Sequence, residues 1–131
     1  MKILIIDGQG GKIGRSVAEA VMREKPDAEV SVIGTNAIAT ANMLKSGVRE
    51  AATGENPVVV TAPKADVIIG PIGIAIADSM MGEVTPKMAV AVGQSPARKI
   101  LIPLNRCDNL IAGVQEIPLS EMIRQVVALI G

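Results

Sequence analysis

An uninterrupted apolar run, Ile3-Leu4-Ile5-Ile6, passes through Asp7 into the glycine cluster Gly8-Gln9-Gly10-Gly11 and then into Lys12-Ile13-Gly14-Arg15, where helical spacing begins. Apolar residues that do not alternate with polar ones describe a strand covered on both faces, and such strands belong to parallel sheets. Strand, tight turn and helix in that order predict the opening unit of a doubly wound α/β fold. Glycines at 8, 10 and 11 would let the backbone approach a diphosphate, Gly14 would let the helix pack close to the strand, and the helix N-terminus would face the anion.

The rest of the chain repeats the alternation. A helix is expected over 12–25, with Ile13, Val17, Ala20 and Val21 on one face and Pro26 denying the next turn a donor. A strand over 29–33 follows, and Gly34-Thr35-Asn36 caps a helix over 37–46 that Gly47 closes in the left-handed position. A short third strand is expected over 49–53. Asn56-Pro57-Val58-Val59-Val60-Thr61 points both ways, because Asn before Pro opens helices while four β-branched residues favour a strand. The buried strand expected over 65–70 needs a crossover before it, which selects helix. A helix over 74–81, another opened by Thr85-Pro86 and closed by Gly93, strands over 99–104 and 109–114, and a last helix over 118–130 complete the pattern. The expectation is a single three-layer, Rossmann-like α/β domain over residues 1–131, doubly wound and mostly parallel, with strand order 3-2-1-4-5-6.

An ordinary dinucleotide oxidoreductase adds a substrate-binding half, for which 131 residues leave little room. Such a chain would bind without catalysis or borrow a wall from another subunit. Thirteen Lys and Arg balance thirteen Asp and Glu, and Phe, Tyr, Trp and His are absent. There is thus neither an electrostatic footprint nor an aromatic platform for nucleic acid. The usual general base and the commonest zinc ligand are missing too. A lone Cys, Cys107, cannot form an internal disulfide and suits a reducing interior. No apolar stretch approaches the roughly 20 residues of a membrane span. A cytoplasmic protein without nucleic-acid or membrane partners is expected, and with 49% of its residues apolar, a homo-oligomer.

In this fold the loops after the strands meet at one rim. The candidate binding residues for a small-molecule ligand, NAD(P) or another nucleotide, are therefore Gly8, Gln9, Gly10, Gly11, Lys12, Ile13, Thr35, Asn36, Gly70, Pro71, Ile72, Asn105 and Arg106. The glycines miss the G-x-G-x-x-G template, because position 13 is Ile, and fit G-x-x-G-x-x-G through Gly8, Gly11 and Gly14. With Lys12, Ile13 and Arg15 interleaved, this loop resembles the nucleotide loop of dihydrodipicolinate reductases, and that resemblance implies an NAD(P)-type loop over about a dozen residues. Taken with Gly34-Thr35-Asn36, Ala52-Thr53-Gly54-Glu55-Asn56, Gly70-Pro71-Ile72-Gly73, Gly82-Glu83-Val84-Thr85-Pro86-Lys87-Met88 and Ile102-Pro103-Leu104-Asn105-Arg106-Cys107, the whole chain resembles a family of small bacterial proteins known as a domain of unknown function. That second resemblance implies no activity to carry over.

Each candidate has a plainer role beside the functional one. Asp7 either caps the loop amides or holds a metal; Lys12 and Arg15 offset its charge or form a solvated helix face. Thr35 and Asn36, standing where dinucleotide sites place a ribose-binding carboxylate, contact a ligand or cap the next helix. Gly70-Pro71-Ile72-Gly73 offers a surface for a ring or acyl group, or is a second strand-to-helix turn. Arg106 could hold a phosphate or carboxylate and lower the Cys107 pKa, although a lone Cys is more often a small buried hydrophobe. Met80, Met81 and Met88 read as core or subunit interface. No catalytic residue and no metal set is assigned, and whether the chain is an enzyme stays open. A sensor or interaction module that kept the fold and lost its cofactor is the competing reading.

Overall fold

The computed structural model describes residues 1–104 and 109–131. Five parallel strands form one sheet: β1 (Lys2–Asp7), β2 (Glu29–Gly34), β3 (Glu50–Thr53), β4 (Val67–Pro71) and β5 (Arg98–Ile102), in the order β3-β2-β1-β4-β5. The helices are α1 (Lys12–Glu24), α2 (Ala37–Leu44), α3 (Glu55–Thr61), α4 (Pro86–Gln94) and α5 (Leu119–Ile130). This is the α/β class and strand order expected, without a sixth strand among the described residues.

Side-chain alternation along β1 divides the core. Ile3 and Ile5 join Val17, Val21, Met43, Val126 and Ile130 on the face covered by α1, α2 and α5. Leu4 and Ile6 join Val58, Met80, Val84, Met88 and Val92 on the face covered by α3 and α4. Helices on both faces bury every residue of β1 after Lys2, which is why the run does not alternate. The chain steps outward from β1 to β3 and returns beside β1 at β4, pairing Ile3 with Val67 and Ile5 with Ile69. The carboxyl ends of β1, β2 and β4 therefore share the crevice at the switch point.

The β-branched stretch is a helix, as the crossover argument requires. Thr61 Oγ1 donates to Pro57 O at 2.7 Å, and Pro57 stands third in α3, where its missing N–H has no intrahelical acceptor to lose. Gly54, rather than Asn56, stands at the N-cap.

Two expected elements are absent. The helix over 74–81 is replaced by a 3-10 turn, Ile72–Ala75, and a loop in which Asp78, Met80 and Met81 take φ of 65°, 58° and 57°. This stretch has no Ser, Thr, Asp or Asn at its start to satisfy first-turn amides, and the loop closes on itself instead. Asp78 N–H donates to Val84 O at 2.7 Å, and Val84 N–H donates to Ser79 O at 3.2 Å. Left-handed backbone costs a residue with a Cβ roughly 1–2 kcal/mol, and burial of Met80 and Val84 offsets that cost. The strand over 109–114 is also missing among the described residues. Leu110 is 94% exposed and Gly113 has φ of 81°, so the segment offers the sheet edge neither a buried face nor extended backbone.

Candidate functional site

Beneath the glycine loop, the Asp7 carboxylate is 2% exposed and accepts two backbone bonds: Gly8 N–H donates to Oδ1 at 2.8 Å, and Gly14 N–H to Oδ2 at 2.7 Å. Of the two roles open to Asp7, the structure shows amide capping. Burial pushes its pKa above the usual carboxylate value, the Gly14 and Gly8 amides pull it down, and the nearby Glu83 charge adds to the rise.

Three of the four loop glycines are explained by what lies against them. A Cβ at Gly14 would stand 2.8 Å from Asp7 Cβ and would also meet Met43 Sδ. At Gly11, which has φ of 73°, it would stand 2.6 Å from Ala39 O of α2, and at Gly8 it would stand 2.6 Å from Met80 Sδ and from Thr35 Oγ1. Gly10 differs, because a Cβ there would meet nothing within 4 Å. A concavity of about 410 Å³ opens at this point, lined by Asp7, Gly8, Gln9, Gly10, Gly11, Lys12 and Ile13. Among the described residues the amides of Gly10, Lys12 and Ile13 donate to no protein carbonyl.

Above the loop stands a residue that the sequence reading passed over. Glu83 Oε1 accepts from Gln9 N–H at 2.9 Å, from Thr35 Oγ1 at 2.6 Å and from Asn36 Nδ2 at 2.7 Å. Desolvation works against the Glu83 charge, but the bonds from Thr35, Gln9 and Asn36 outweigh it and hold the pKa below the ordinary value. A carboxylate thus reaches the end of β2 from the loop after β4. Topology was the available signal, since the loop after β4, which carries Asp78 and Glu83, must lie at the rim.

The other candidates fall as follows. Asn36 caps α2, its Oδ1 accepting from Ala39 N–H at 2.8 Å, while its Nδ2 also donates to Gln9 O at 3.0 Å. Arg15 turns to α2 and its own helix, pairing with Glu19 at 2.8 Å and donating to Asn42 at 3.2 Å; Asn42 in turn donates to Gly10 O at 2.9 Å. Lys12 is exposed at the start of α1. Gly70 and Pro71 are buried in β4, with Gly70 tight against Ile6 O and Ile74, whereas Ile72 is half-buried. Met80 and Met88 are core, and Met81 is 98% exposed. Asn105, Arg106 and Cys107 lie outside the described residues. No described helix is long and apolar enough to cross a membrane.

Among solved structures, the fold is similar to a dodecameric FMN-dependent UbiX-like decarboxylase from Escherichia coli O157:H7, with a TM-score of 0.50 and 18% identity over 99% of this chain and 75% of that one. At this identity the likeness is one of fold. No curated protein sequence matches the chain. A family model does match it from residue 2 to residue 131, and the chain belongs to that family, described as domain of unknown function DUF3842.

Proposed function

We propose that this chain binds a nucleotide or another phosphorylated small molecule at the carboxyl rim of β1, with a phosphate seated against Gly10 and the first turn of α1. The observation that carries the reading is the concavity over residues 7–13, onto which Gly10 opens while its neighbouring glycines are packed against protein. The unengaged amides of Gly10, Lys12 and Ile13 supply donors, and Lys12 supplies positive charge. Thr35, Asn36 and Ile72 border the same rim, and Asn105 and Arg106 are candidate ligand residues from the sequence alone. The FMN dependence of the structurally similar decarboxylase supports a phosphorylated cofactor as the ligand class.

Titration calorimetry of the full chain with FMN, NADH, NADPH, ATP and coenzyme A tests the proposal. Saturable binding of one of them, abolished in Gly10→Val at unchanged melting temperature, is the expected result; failure of all five, with no small molecule co-purifying by mass spectrometry, overturns it. The competing reading, a non-enzymatic module without cofactor, is favoured by one observation, that Glu83 already engages three donors at the rim.

The reading includes self-association. Val59, Val60 and Val90 are exposed on α3 and α4, beside a groove of about 610 Å³. A monomer-sized species by light scattering at working concentration would remove this part of the proposal.

A further inference from the structure

We propose that Glu83 is an internal latch: its carboxylate fills an oxyanion cradle made by the Gln9 amide, the Thr35 hydroxyl and the Asn36 side-chain amide, and an anionic group of the ligand takes that cradle by turning Glu83 out. The inference rests on the binding reading above and extends it with a second anion position and a means of closing it.

The first argument is the donor set. Gln9 N–H, Thr35 O–H and Asn36 Nδ2–H come from the glycine loop and from the end of β2, and all three converge on one oxygen, Glu83 Oε1, at 2.6–2.9 Å. Three neutral donors around a single oxygen form a site for an oxyanion, and a phosphate or carboxylate oxygen satisfies it as Glu83 does. The cradle is prearranged. Asn36 Oδ1 is held by the Ala39 amide, its Nδ2 also donates to Gln9 O, and Thr35 N–H donates to Asp7 O at 2.9 Å.

The second argument concerns what must move. The loop carrying Glu83 is closed by its own bonds, Asp78 to Val84, Gly82 to Asp78, Glu83 to Met80 and Val84 to Ser79, and is anchored by Met80, 1% exposed, and Val84. None of these depends on the Glu83 side chain, so its torsions alone suffice to empty the cradle. Gly8 makes the closed state sterically attainable, since a Cβ there would lie 2.6 Å from Met80 Sδ and 3.1 Å from Glu83 Oε1. A tethered carboxylate competes with every free anion, and the apparent affinity falls by the fraction of molecules in which the cradle is empty.

The experiment compares wild type, Glu83→Gln, Glu83→Ala and Glu83→Ala/Thr35→Val, titrated with inorganic phosphate and with FMN by calorimetry. Amide NMR supplies the second readout. Glu83→Ala is expected to bind phosphate about tenfold or more tightly than wild type. Glu83→Gln, which keeps the size and an acceptor oxygen, should fold as wild type does and bind with intermediate affinity, and the double variant should lose the gain. Phosphate should shift the Gln9 amide and the Asn36 side-chain amide in Glu83→Ala. The latch is overturned if either single variant binds at wild-type affinity or more weakly, or if those two resonances do not respond. If Gly10→Val still abolishes binding in that case, the site stands and the latch alone fails. If no chain binds either probe, the site reading fails and the latch falls with it.

Discussion

The two faces of the glycine loop each hold a carboxylate, and the contrast between them separates structure from recognition. Asp7, below, lies at the end of β1, is 2% exposed, and accepts the amides of Gly8 and Gly14. It binds strand to helix across a few residues of chain. Glu83, above, arrives from 74 residues away on a loop with three non-glycine residues in the left-handed region, and accepts the Gln9 amide from the solvent side. The same functional group acts as a cap where it is enclosed and short-tethered, and as a removable occupant where water can replace it. Burial and connectivity make the difference.

The contrast breaks most readily on stability. Asp7→Ala leaves two buried amides without an acceptor and should cost about 2–4 kcal/mol by urea unfolding, whereas Glu83→Ala, whose donors water can reach, should cost within about 1 kcal/mol. Equal losses would mean that both carboxylates are structural. A smaller difference is expected between glycines: Gly14→Ala forces a Cβ onto Asp7 and Met43 and should cost about 1–3 kcal/mol, while Gly10→Ala meets nothing and should fall within about 0.5 kcal/mol. Parity between those two would remove the distinction between packed and open sides of the loop.

The smallest effect is on pH dependence, and its sign differs between the carboxylates. The folded-state pKa of Asp7 is raised, first by burial, so its contribution is present below its ordinary value of 3.8 and declines as pH rises through the folded value. That of Glu83 is lowered, hydrogen bonds from Thr35, Gln9 and Asn36 overcoming desolvation, so its contribution is present above 4.5 and is lost as pH falls through the folded value. Melting curves in the acid range should therefore show the deficit of Glu83→Gln against wild type shrinking on acidification. The deficit of Asp7→Asn should grow. Parallel profiles would contradict the assigned environments.

Much of the fold was legible because burial on both faces writes itself into sequence as unbroken apolar runs, as in Ile3 to Ile6 and Val67 to Ile69. Even the β-branched segment of α3 followed from topology, since a parallel β4 beside β1 demands a crossover and so selects the helix that local signals alone left undecided. The failures share a cause. The segment over 74–81 is apolar enough for a helix, but its fate was decided by where Met80 and Val84 could be buried and by the bonds the loop makes to itself. The segment over 109–114 has strand-like composition with no face of the sheet ready to cover it.

The site divides along the same line. Local sequence determined the strand, the turn, the helix start and the placing of Asp7 beneath them, because those contacts join residues a few positions apart whose backbone geometry is set by glycine and by parallel burial. Only the tertiary structure decided which glycine stays open, that Asn36, besides capping α2, donates to Glu83, and that Glu83 reaches the end of β2. Those outcomes join residues tens of positions apart. No periodicity or propensity encodes such a distance; the order of strands in the sheet does.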